Sequence, residues 1–219
     1  MRVHVAFTPA EVERAPTAVV VDVLRATSTI AQALASGYRR VLCCAEVEEA
    51  LELRARLGEG VLAGERKAVA IPGFDLGNSP LEFTEPLGET LVFTTTNGTG
   101  AILSAAAAAE TVLVGSLLNL GAVAAAARGN GDVDLVCAGL QGRFTIDDAY
   151  CAGRIAELMG GERSDAAEAA VRLARSFASA EEALSASENP EHARLTEEIA
   201  WCARESVLDV VPRLARLDG

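Results

Sequence analysis

Residues 134–153, DLVCAGLQGRFTIDDAYCAG, form the stretch that decides the fold class of this chain. The apolar run that ends at Ala138 has the length of a buried strand. A loop with two glycines and Arg143 follows it, and then Asp147 and Asp148 stand where a helix should begin. A strand, a glycine loop, an acidic pair and a helix in this order are typical of a site at the carboxyl end of a parallel sheet.

The acidic pair also has a purely structural interpretation. Asp147 would cap the helix, and Asp148 would favour the positive end of the helix dipole. Considered alone, the segment favours this interpretation. Three other segments of the chain end in similar loops, however, and this similarity favours a functional site.

Strands and helices alternate on both sides of this stretch up to about residue 160. The predicted strands are residues 2–7, 17–21, 41–44, 61–63, 91–95, 111–114 and 133–138. The predicted helices are residues 46–57, 101–109, 117–128 and 147–159, together with one that is capped by Thr27 or Ser28 and stops at Gly37. This alternation predicts an α/β fold with a mostly parallel sheet between helical layers, a three-layer α/β/α arrangement.

The pattern changes after Gly161, where no convincing strand remains. Residues 164–177, 180–186 and 190–208 are predicted helices, and Pro212 would end the last of them. We therefore expect one α/β domain over residues 1–219, with a helical C-terminal segment from about residue 162 to 219. This segment would pack on the sheet or complete a pocket.

Composition and charge narrow the classes of function. The net charge of −12 makes nucleic acid and anionic membranes poor partners, and an anionic small molecule needs a local concentration of cations. No apolar stretch is long enough to span a bilayer, and the N-terminus alternates like a strand rather than resembling a signal peptide. A cytoplasmic protein is the expectation. The oligomeric state stays open, with a homodimer as one option.

The cysteine and histidine content limits the metal chemistry. Five cysteines occur without a CxxC spacing, which predicts buried free thiols rather than disulfides or a zinc site. The two histidines, His4 and His192, are far apart, and His192 lies in a solvated helical context. A metal would therefore be a hard ion on oxygen ligands, with Mg²⁺ the first choice.

Four loops that follow strands carry the candidate chemistry: residues 22–29, 64–80, 94–100 and 139–148. In a parallel sheet such loops gather at one edge. Together they offer carboxylates, cations and hydroxyls, which are the groups needed for phosphate ester chemistry with a divalent cation.

The loop after the second strand offers an anion site at a helix start. Arg25 would form charge-assisted bonds to a phosphate or carboxylate, with Thr27 and Ser28 at the free backbone N–H groups. The structural alternative is an ion pair between Asp22 and Arg25 with Thr27 as a simple cap. The two interpretations stay open on the sequence.

A second anion candidate is FTTTNGTGA, residues 93–101. Thr95, Thr96, Asn97 and Gly98 would line a phosphate pocket through side-chain and backbone donors. The lysine of a Walker loop is missing, so this is not a P-loop. The alternative is a well-capped helix with a glycine turn.

The long irregular segment from residue 64 to residue 80 predicts a wall or lid over a pocket, because its apolar residues argue that it packs. Glu65 at its start is a candidate metal ligand or the partner of Arg66, and Arg66 is a candidate anion-binding residue.

We assign the metal and the reaction to the remaining carboxylates. Asp147 and Asp148 would hold Mg²⁺ directly or through water, with Asp22 or Glu65 nearby. Asp22 would serve as base or nucleophile, and Arg143 would bind a substrate anion. Whether hydrolysis proceeds through a phospho-enzyme or by direct attack of water stays open.

These motifs resemble the 2-phosphosulfolactate phosphatase family. The resemblance rests on VVVDVLRATST, GERKAVAIPGFDLGNSP, TTTNGT and CAGLQGRFTIDDAYCAG, which begin at residues 19, 64, 94 and 137. It extends from about Val19 to the DVVP of residues 209–212, and the helical tail departs from it most, with Glu205 where an aspartate is expected.

The resemblance implies a Mg²⁺-dependent, acid-type phosphatase with a three-layer α/β/α fold. Its reaction would release phosphate from 2-phosphosulfolactate to give sulfolactate, a step towards coenzyme M. A substrate with phosphate, carboxylate and sulfonate groups needs several cations in one pocket, which agrees with arginines in separate loops.

Three alternatives remain beside this interpretation. The chain could be a phosphatase of another 2-hydroxy-acid phosphate, since family membership does not settle the substrate. It could instead be a non-catalytic module that binds a phosphorylated metabolite or nucleotide. A purely structural protein would leave the long glycine loop and the acidic pair without a role.

Overall fold

The computed structural model of this chain describes residues 1–129, 131–188 and 195–215. Within these ranges the strands are β1 (Arg2–Ala6), β2 (Ala15–Val21), β3 (Arg40–Cys43), β4 (Val61–Arg66), β5 (Val69–Ala70), β6 (Thr90–Thr94), β7 (Ala109–Gly115), β8 (Val133–Cys137) and β9 (Glu162–Arg163). The helices are α1 (Ala26–Ser36), α2 (Val47–Leu57), α3 (Gly98–Ala108), α4 (Leu120–Ala127), α5 (Ile146–Met159), α6 (Asp165–Ser176), α7 (Ala180–Ser185) and α8 (Thr196–Cys202). Short 3₁₀ turns occur at Pro9–Glu11 and Pro80–Glu82.

The described strands form two sheets. The first has the order β7-β2-β8-β1-β9 with every pair parallel, and the second has the order β3-β6-β4-β5 with only β5 antiparallel. The predicted α/β class with mostly parallel strands is therefore confirmed. The expectation of one sheet needs correction, because β3 to β6 pair with one another and not with β2 or β7.

Alternating residues of β2 show how the layers are built. Val19 and Val21 pack into a core shared with α4, α5, α6, α7 and α8. Ala18 and Val20 point the other way, into a core shared with α1, α3 and the second sheet. Because successive strand residues face opposite sides, one valine-rich run fills both cores. Helices α1 and α3 thus lie between the two sheets, and α2 covers the outer face of the second sheet.

The C-terminal part differs from its prediction in two ways. A two-residue strand, β9, pairs with β1 after Gly161, where no strand was expected. The last helix, α8, ends at Cys202, and the chain then runs alongside β7, where Val114 N–H donates to Pro212 O at 2.9 Å. Pro212 therefore continues the edge of the first sheet instead of ending a helix. The predicted helix start at residue 190 and His192 lie outside the described residues.

The start of α1 also corrects a prediction. Arg25 precedes the helix without a side-chain cap, and Thr27 and Ser28 lie inside the first turn. Their hydroxyls bond backward, Thr27 Oγ1 to Asp22 O at 2.9 Å and Ser28 Oγ to Val23 O at 2.8 Å. These hydroxyls therefore fix the loop that leads into the helix.

The five cysteines are free, and four of them are buried, as expected from their spacing. Among the described helices, none combines the length and the apolar character needed to cross a membrane.

Candidate functional site

The four candidate loops meet around one cavity, although they belong to two sheets. Two of them follow β2 and β8 of the first sheet, and two follow β4 and β6 of the second. The cavity, which we call the main cavity, has a volume of about 340 Å³. Its walls are formed by Asp22, Leu24, Arg25, Glu65, Lys67, Ala68, Asn78, Thr96, Asn97, Leu140, Gln141, Arg143 and Leu195.

A smaller cavity, which we call the acidic chamber, adjoins the main cavity. It is lined by Asp22, Leu24, Asn97, Gly139, Leu140, Thr145, Asp147, Asp148 and Ser187. Its volume of about 20 Å³ is enough for one water molecule or ion. Because the two cavities share Asp22, Leu24, Asn97 and Leu140, a molecule in the main cavity lies next to the acidic chamber.

Asp148 joins the loops of the two neighbouring strands β2 and β8. Its Oδ1 accepts the Val23 N–H and its Oδ2 accepts the Gly139 N–H, both at 2.9 Å. Thr145 precedes α5, so Asp147 is not the cap of that helix, and Asp148 lies in its first turn. Burial raises the pKa of Asp148 well above 3.8, and the charges of Asp147 and Asp22 raise it further. Asp148 is therefore more than a charge at the positive helix end, since its carboxylate holds the two loops at the acidic chamber.

Asp22 is the carboxylate with the most evident capacity for proton transfer. It follows β2, is almost fully buried, and its Oδ1 accepts the Ala26 N–H at 3.3 Å. Burial raises the pKa of Asp22 from 3.8 to about 7, and the charges of Asp147 and Glu65 add to the rise. The Ala26 N–H bond and Arg25 act in the opposite direction. A group with this pKa is partly ionised near neutral pH, so it can accept or release a proton there.

Among the described residues, the Asp147 side chain accepts a hydrogen bond from Ser187 alone. Ser187 Oγ donates to Asp147 Oδ1 at 3.0 Å, and both residues are buried. Ser187 follows α7, so the helical C-terminal segment contributes directly to the acidic chamber.

Glu65 lies in the wall of the main cavity. Its Oε1 accepts the Thr96 N–H at 2.7 Å, and its Oε2 accepts the Ala68 N–H at 2.6 Å and the Thr96 hydroxyl at 3.1 Å. The carboxylate thus connects the loops after β4 and β6. It lines the main cavity and not the acidic chamber.

Three cations line the main cavity: Arg25, Lys67 and Arg143. Lys67 is the only lysine in the chain. Arg66 points elsewhere, because its guanidinium donates to Glu65 O, Ala45 O and Thr94 Oγ1 at 2.8–2.9 Å. The main cavity therefore presents positive charge beside the negative charge of the acidic chamber, which suits an anion that also approaches a metal ion.

The carboxylates around the acidic chamber are candidate ligands for Mg²⁺. Among the described residues, no three Asp, Glu, His or Cys side chains are grouped as a metal centre. Mg²⁺ usually needs only one or two carboxylates and keeps several waters. Asp22 Oδ2 and Asp147 Oδ2 take no hydrogen bond from any described residue. The oxygen donors at the acidic chamber thus fit a Mg²⁺ with a partly aqueous shell.

The similarity of this chain to known sequences identifies its family. The sequence model of a family described as 2-phosphosulpholactate phosphatase matches residues 5–216. The chain belongs to the 2-phosphosulfolactate phosphatase family.

Curated relatives of the family agree with this match over nearly the whole chain. A protein of Methanothermobacter thermautotrophicus named 2-phosphosulfolactate phosphatase is 38% identical over 216 residues, covering 97% of this chain and 92% of its own. Proteins named probable 2-phosphosulfolactate phosphatase are 40% identical in Thermotoga maritima and 37% in Carboxydothermus hydrogenoformans, each over 222 residues. These alignments cover 97% of this chain in both cases, and 95% and 92% of the respective relative.

In this member of the family, most but not all of the predicted site residues lie at the two cavities. Those present there are Asp22, Arg25, Glu65, Thr96, Asn97, Arg143, Asp147 and Asp148. Arg66, Thr27, Ser28 and Thr95 do not line either cavity. Thr95 Oγ1 instead accepts the Thr99 N–H at 3.2 Å, so it stabilises the start of α3.

Gly98 lies beside Asp22, and because it has no side chain it leaves the space that the Asp22 carboxylate and the Ala26 methyl group occupy. A Cβ at this position would come within 2.5 Å of Asp22 Oδ2 and 2.4 Å of the Ala26 Cβ. A glycine at the start of α3 therefore allows the helix to approach the carboxylate. The role of phosphate donor that the sequence predicts for Gly98 stays a prediction.

The cavity-lining residues that were missed as site residues include Lys67, Asn78, Ser187 and Leu195. Lys67 carried a weak signal as the only lysine of the chain. Ser187 and Leu195 lie in the helical segment, where the sequence shows neither a glycine loop nor a strand end. Their location depends on how that segment packs, which local patterns do not reveal.

Proposed function

We propose that this chain hydrolyses 2-phosphosulfolactate to sulfolactate and inorganic phosphate, with Mg²⁺ as its metal ion, in the cytoplasm. The observation that supports this proposal best is the juxtaposition of three cations in the main cavity with three carboxylates at the acidic chamber. A substrate with phosphate, carboxylate and sulfonate groups matches the cations. The names of the relatives agree with the same reaction.

In this proposal the cations bind and orient the substrate. Arg25, Lys67 and Arg143 take its carboxylate and sulfonate groups, which places the phosphate at the boundary between the two cavities. The Asn97 side chain lies at that boundary, since it lines both cavities, and its Oδ1 accepts the Gln141 N–H at 3.0 Å. Asn97 therefore connects the loops after β6 and β8 next to the reacting group.

Asp22 moves the proton. Its Oδ2 is free of hydrogen bonds from described residues and accepts a proton from the water that attacks phosphorus. The P–O bond to the 2-oxygen breaks as the bond to water forms, and the proton balances the alkoxide that leaves. Because the pKa of Asp22 is raised to about 7, the carboxyl can both take and return this proton near neutral pH.

Asp147 and Asp148 hold the metal ion in this proposal. Mg²⁺ bound there would neutralise phosphate charge and make a bound water more acidic. Ser187 keeps Asp147 Oδ1 occupied, which leaves Oδ2 for the ion or its waters. Asp148 contributes mainly charge, because each of its oxygens already accepts a backbone N–H.

The test is a rate measurement on matched variants. Initial rates on 2-phosphosulfolactate, 2-phospholactate and a generic phosphate ester would be measured with and without Mg²⁺. Wild type should show Mg²⁺-dependent turnover with the highest kcat/KM for 2-phosphosulfolactate. Asp22→Asn should lower kcat roughly 10²–10⁴-fold, the usual contribution of a general base. Asp147→Asn should stay folded and need far more Mg²⁺.

Asp165→Asn is the matched control, because Asp165 also lies in the first turn of a helix but is exposed on α6. It should keep the wild-type rate and Mg²⁺ dependence. Absence of turnover on every ester at any Mg²⁺ concentration would contradict the proposal and favour a binding module. A higher kcat/KM for another 2-hydroxy-acid phosphate would contradict the named substrate alone.

A further inference from the structure

An ion pair joins the helical C-terminal segment to the main cavity. Arg25 Nη1 lies 3.2 Å from Glu198 Oε1, and the two side chains are only 9% and 15% exposed. Arg25 lines the cavity, whereas Glu198 lies on α8, far along the chain. Exposed ion pairs contribute little to a structure because water screens them, but this pair is largely removed from water.

Helix α8 holds Glu198 in a defined place. Ile199 and Cys202 of the same helix are buried in the core that covers the first sheet. Leu195, which precedes the helix, lines the main cavity. Glu198 lies in the first turn of the helix that Leu195 precedes, and its carboxylate reaches Arg25 in the wall of the same cavity. The carboxylate is therefore carried by a packed element.

The pair is unexpected at an anion site, because a carboxylate weakens the attraction of its arginine for a negative substrate. It does, however, constrain the guanidinium. Arg25 Nη2 also donates to Ala68 O at 3.4 Å. Two acceptors from different parts of the chain fix the plane of a group whose recognition of anions depends on its orientation.

We propose that Glu198 is a positioning residue for substrate binding. It fixes the Arg25 guanidinium so that its remaining N–H groups are held ready for an anionic group of the substrate in the main cavity. Glu198 itself touches no substrate and acts through Arg25. The inference rests on the proposed phosphatase function and extends it to the C-terminal helical segment.

The experiment is a double-mutant cycle read as KM and kcat for 2-phosphosulfolactate in the presence of Mg²⁺. The variants are Glu198→Ala, Glu198→Gln, Arg25→Ala and the double variant Arg25→Ala/Glu198→Ala. Glu197→Ala is the matched control, since Glu197 is exposed in the same turn and forms no ion pair with a described residue. Thermal unfolding of each variant shows whether it is folded at the assay temperature.

Glu198→Ala should raise KM about tenfold, the effect of losing one well-placed bond to a charged group, with kcat changed less than twofold. Removing a negative charge near an anion site would by itself lower KM, so a rise reports lost orientation. Glu198→Gln should recover most of the wild-type KM, because its amide oxygen still accepts from Arg25. In the Arg25→Ala background, Glu198→Ala should no longer raise KM.

Two results would overturn the inference while leaving the phosphatase function in place. One is a KM for Glu198→Ala at or below that of Glu197→Ala. The other is a KM effect of Glu198→Ala that persists undiminished in the Arg25→Ala background. A wild-type protein without turnover on 2-phosphosulfolactate would instead overturn the proposed function, and this inference with it. Calorimetric titration with sulfolactate, the product, gives a check of affinity that does not depend on turnover.

Discussion

Gly98 leaves little room for a side chain beside Asp22. Because a Cβ there would meet Asp22 Oδ2 at 2.5 Å, Gly98→Ala must displace the carboxylate or the start of α3. We expect kcat/KM to fall on the order of 10²-fold, since a misplacement of about 1 Å can have that effect. The measurement is steady-state kinetics on folded protein, with circular dichroism to confirm the fold.

Gly100→Ala provides the control for Gly98→Ala. Gly100 lies in the same turn of α3, and a Cβ there would meet nothing within 4 Å. Alanine in a helix is roughly 0.5–1 kcal/mol more favourable than glycine, so this variant should be slightly more stable and fully active. Equal activity of the two alanine variants would show that the approach of α3 to Asp22 is unimportant for turnover.

Arg66 and Lys67 are neighbours in sequence with different surroundings. Substitutions at the two positions should therefore separate effects on substrate binding from effects on stability. Lys67→Gln removes a cation from the wall of the main cavity, so KM should rise about tenfold while stability stays within about 0.5 kcal/mol of wild type. Arg66→Gln removes bonds to Ala45 O and Thr94 Oγ1, so unfolding should require roughly 1–3 kcal/mol less with a smaller change in KM.

If Arg66→Gln raised KM and Lys67→Gln did not, the prediction that Arg66 binds an anion of the substrate would hold. That prediction followed from position in the sequence, since both residues come directly after a strand. The direction of a side chain at the end of β4 depends on which partners lie above it. The partners of Arg66 are Ala45, just after β3, and Thr94, at the end of β6. No local sequence pattern predicts that these residues lie beside Arg66.

At the scale of elements, strand β8 was predicted from its apolar run, but the run conceals a buried charge. Asp134 is fully buried, its Oδ2 accepts the Glu13 N–H at 2.8 Å, and its Oδ1 has no hydrogen-bond partner among the described residues. Burial raises the pKa of Asp134 from 3.8 to about 6. The Glu13 N–H bond and the charge of His4 limit this rise.

The sign of the effect of Asp134 on stability follows from linkage. A pKa raised on folding means that the protonated form favours the folded state, and this contribution is present below about pH 4 and lost as pH rises through about 6. At 1.36 kcal/mol per pKa unit, ionised Asp134 destabilises the fold by about 3 kcal/mol at pH 7. Asp134→Asn, which stays neutral, should therefore gain stability relative to wild type as pH rises.

The measurement for Asp134→Asn is urea unfolding at several pH values between 4 and 7. The difference in unfolding free energy between the variant and wild type should grow in favour of the variant by up to about 3 kcal/mol across this range. Subtracting the unfolding free energy of wild type from that of the variant at each pH removes the contributions of the other carboxyl groups. A difference that does not change with pH would contradict the raised pKa.

The elements themselves were largely predictable, because their periodicity and end signals are local. Strand β8 and helix α5 lie within one or two residues of their predicted positions, and Gly37 follows the end of α1 as expected. The length of the last helix was not predictable in the same way. Residues 203–215 carry apolar residues that suit a helix, but residues 206–208 bond to Leu117 and Leu118 and residues 212–214 bond to β7 instead.

At the scale of the whole molecule, the four loops were correctly expected to meet, but for an incomplete reason. A single sheet would bring them together along one edge. Instead two sheets share the layer of α1 and α3, and their strand ends converge from both sides. Strand partners are set by long-range pairing, which the sequence of each strand does not specify. The single domain, the homodimer and the metal ion stay predictions.

The order in which the cavity walls occur along the chain has a consequence for protein synthesis. The loops with Asp22, Glu65 and Asp148 are translated first, but Leu195 and Glu198 follow some fifty residues after the last of them. A nascent chain that has not reached residue 198 on the ribosome therefore lacks one wall of the cavity, and its Arg25 lacks an acidic partner. Fragments released before that residue, through interrupted translation or proteolysis, would carry the acidic residues in an incomplete cavity.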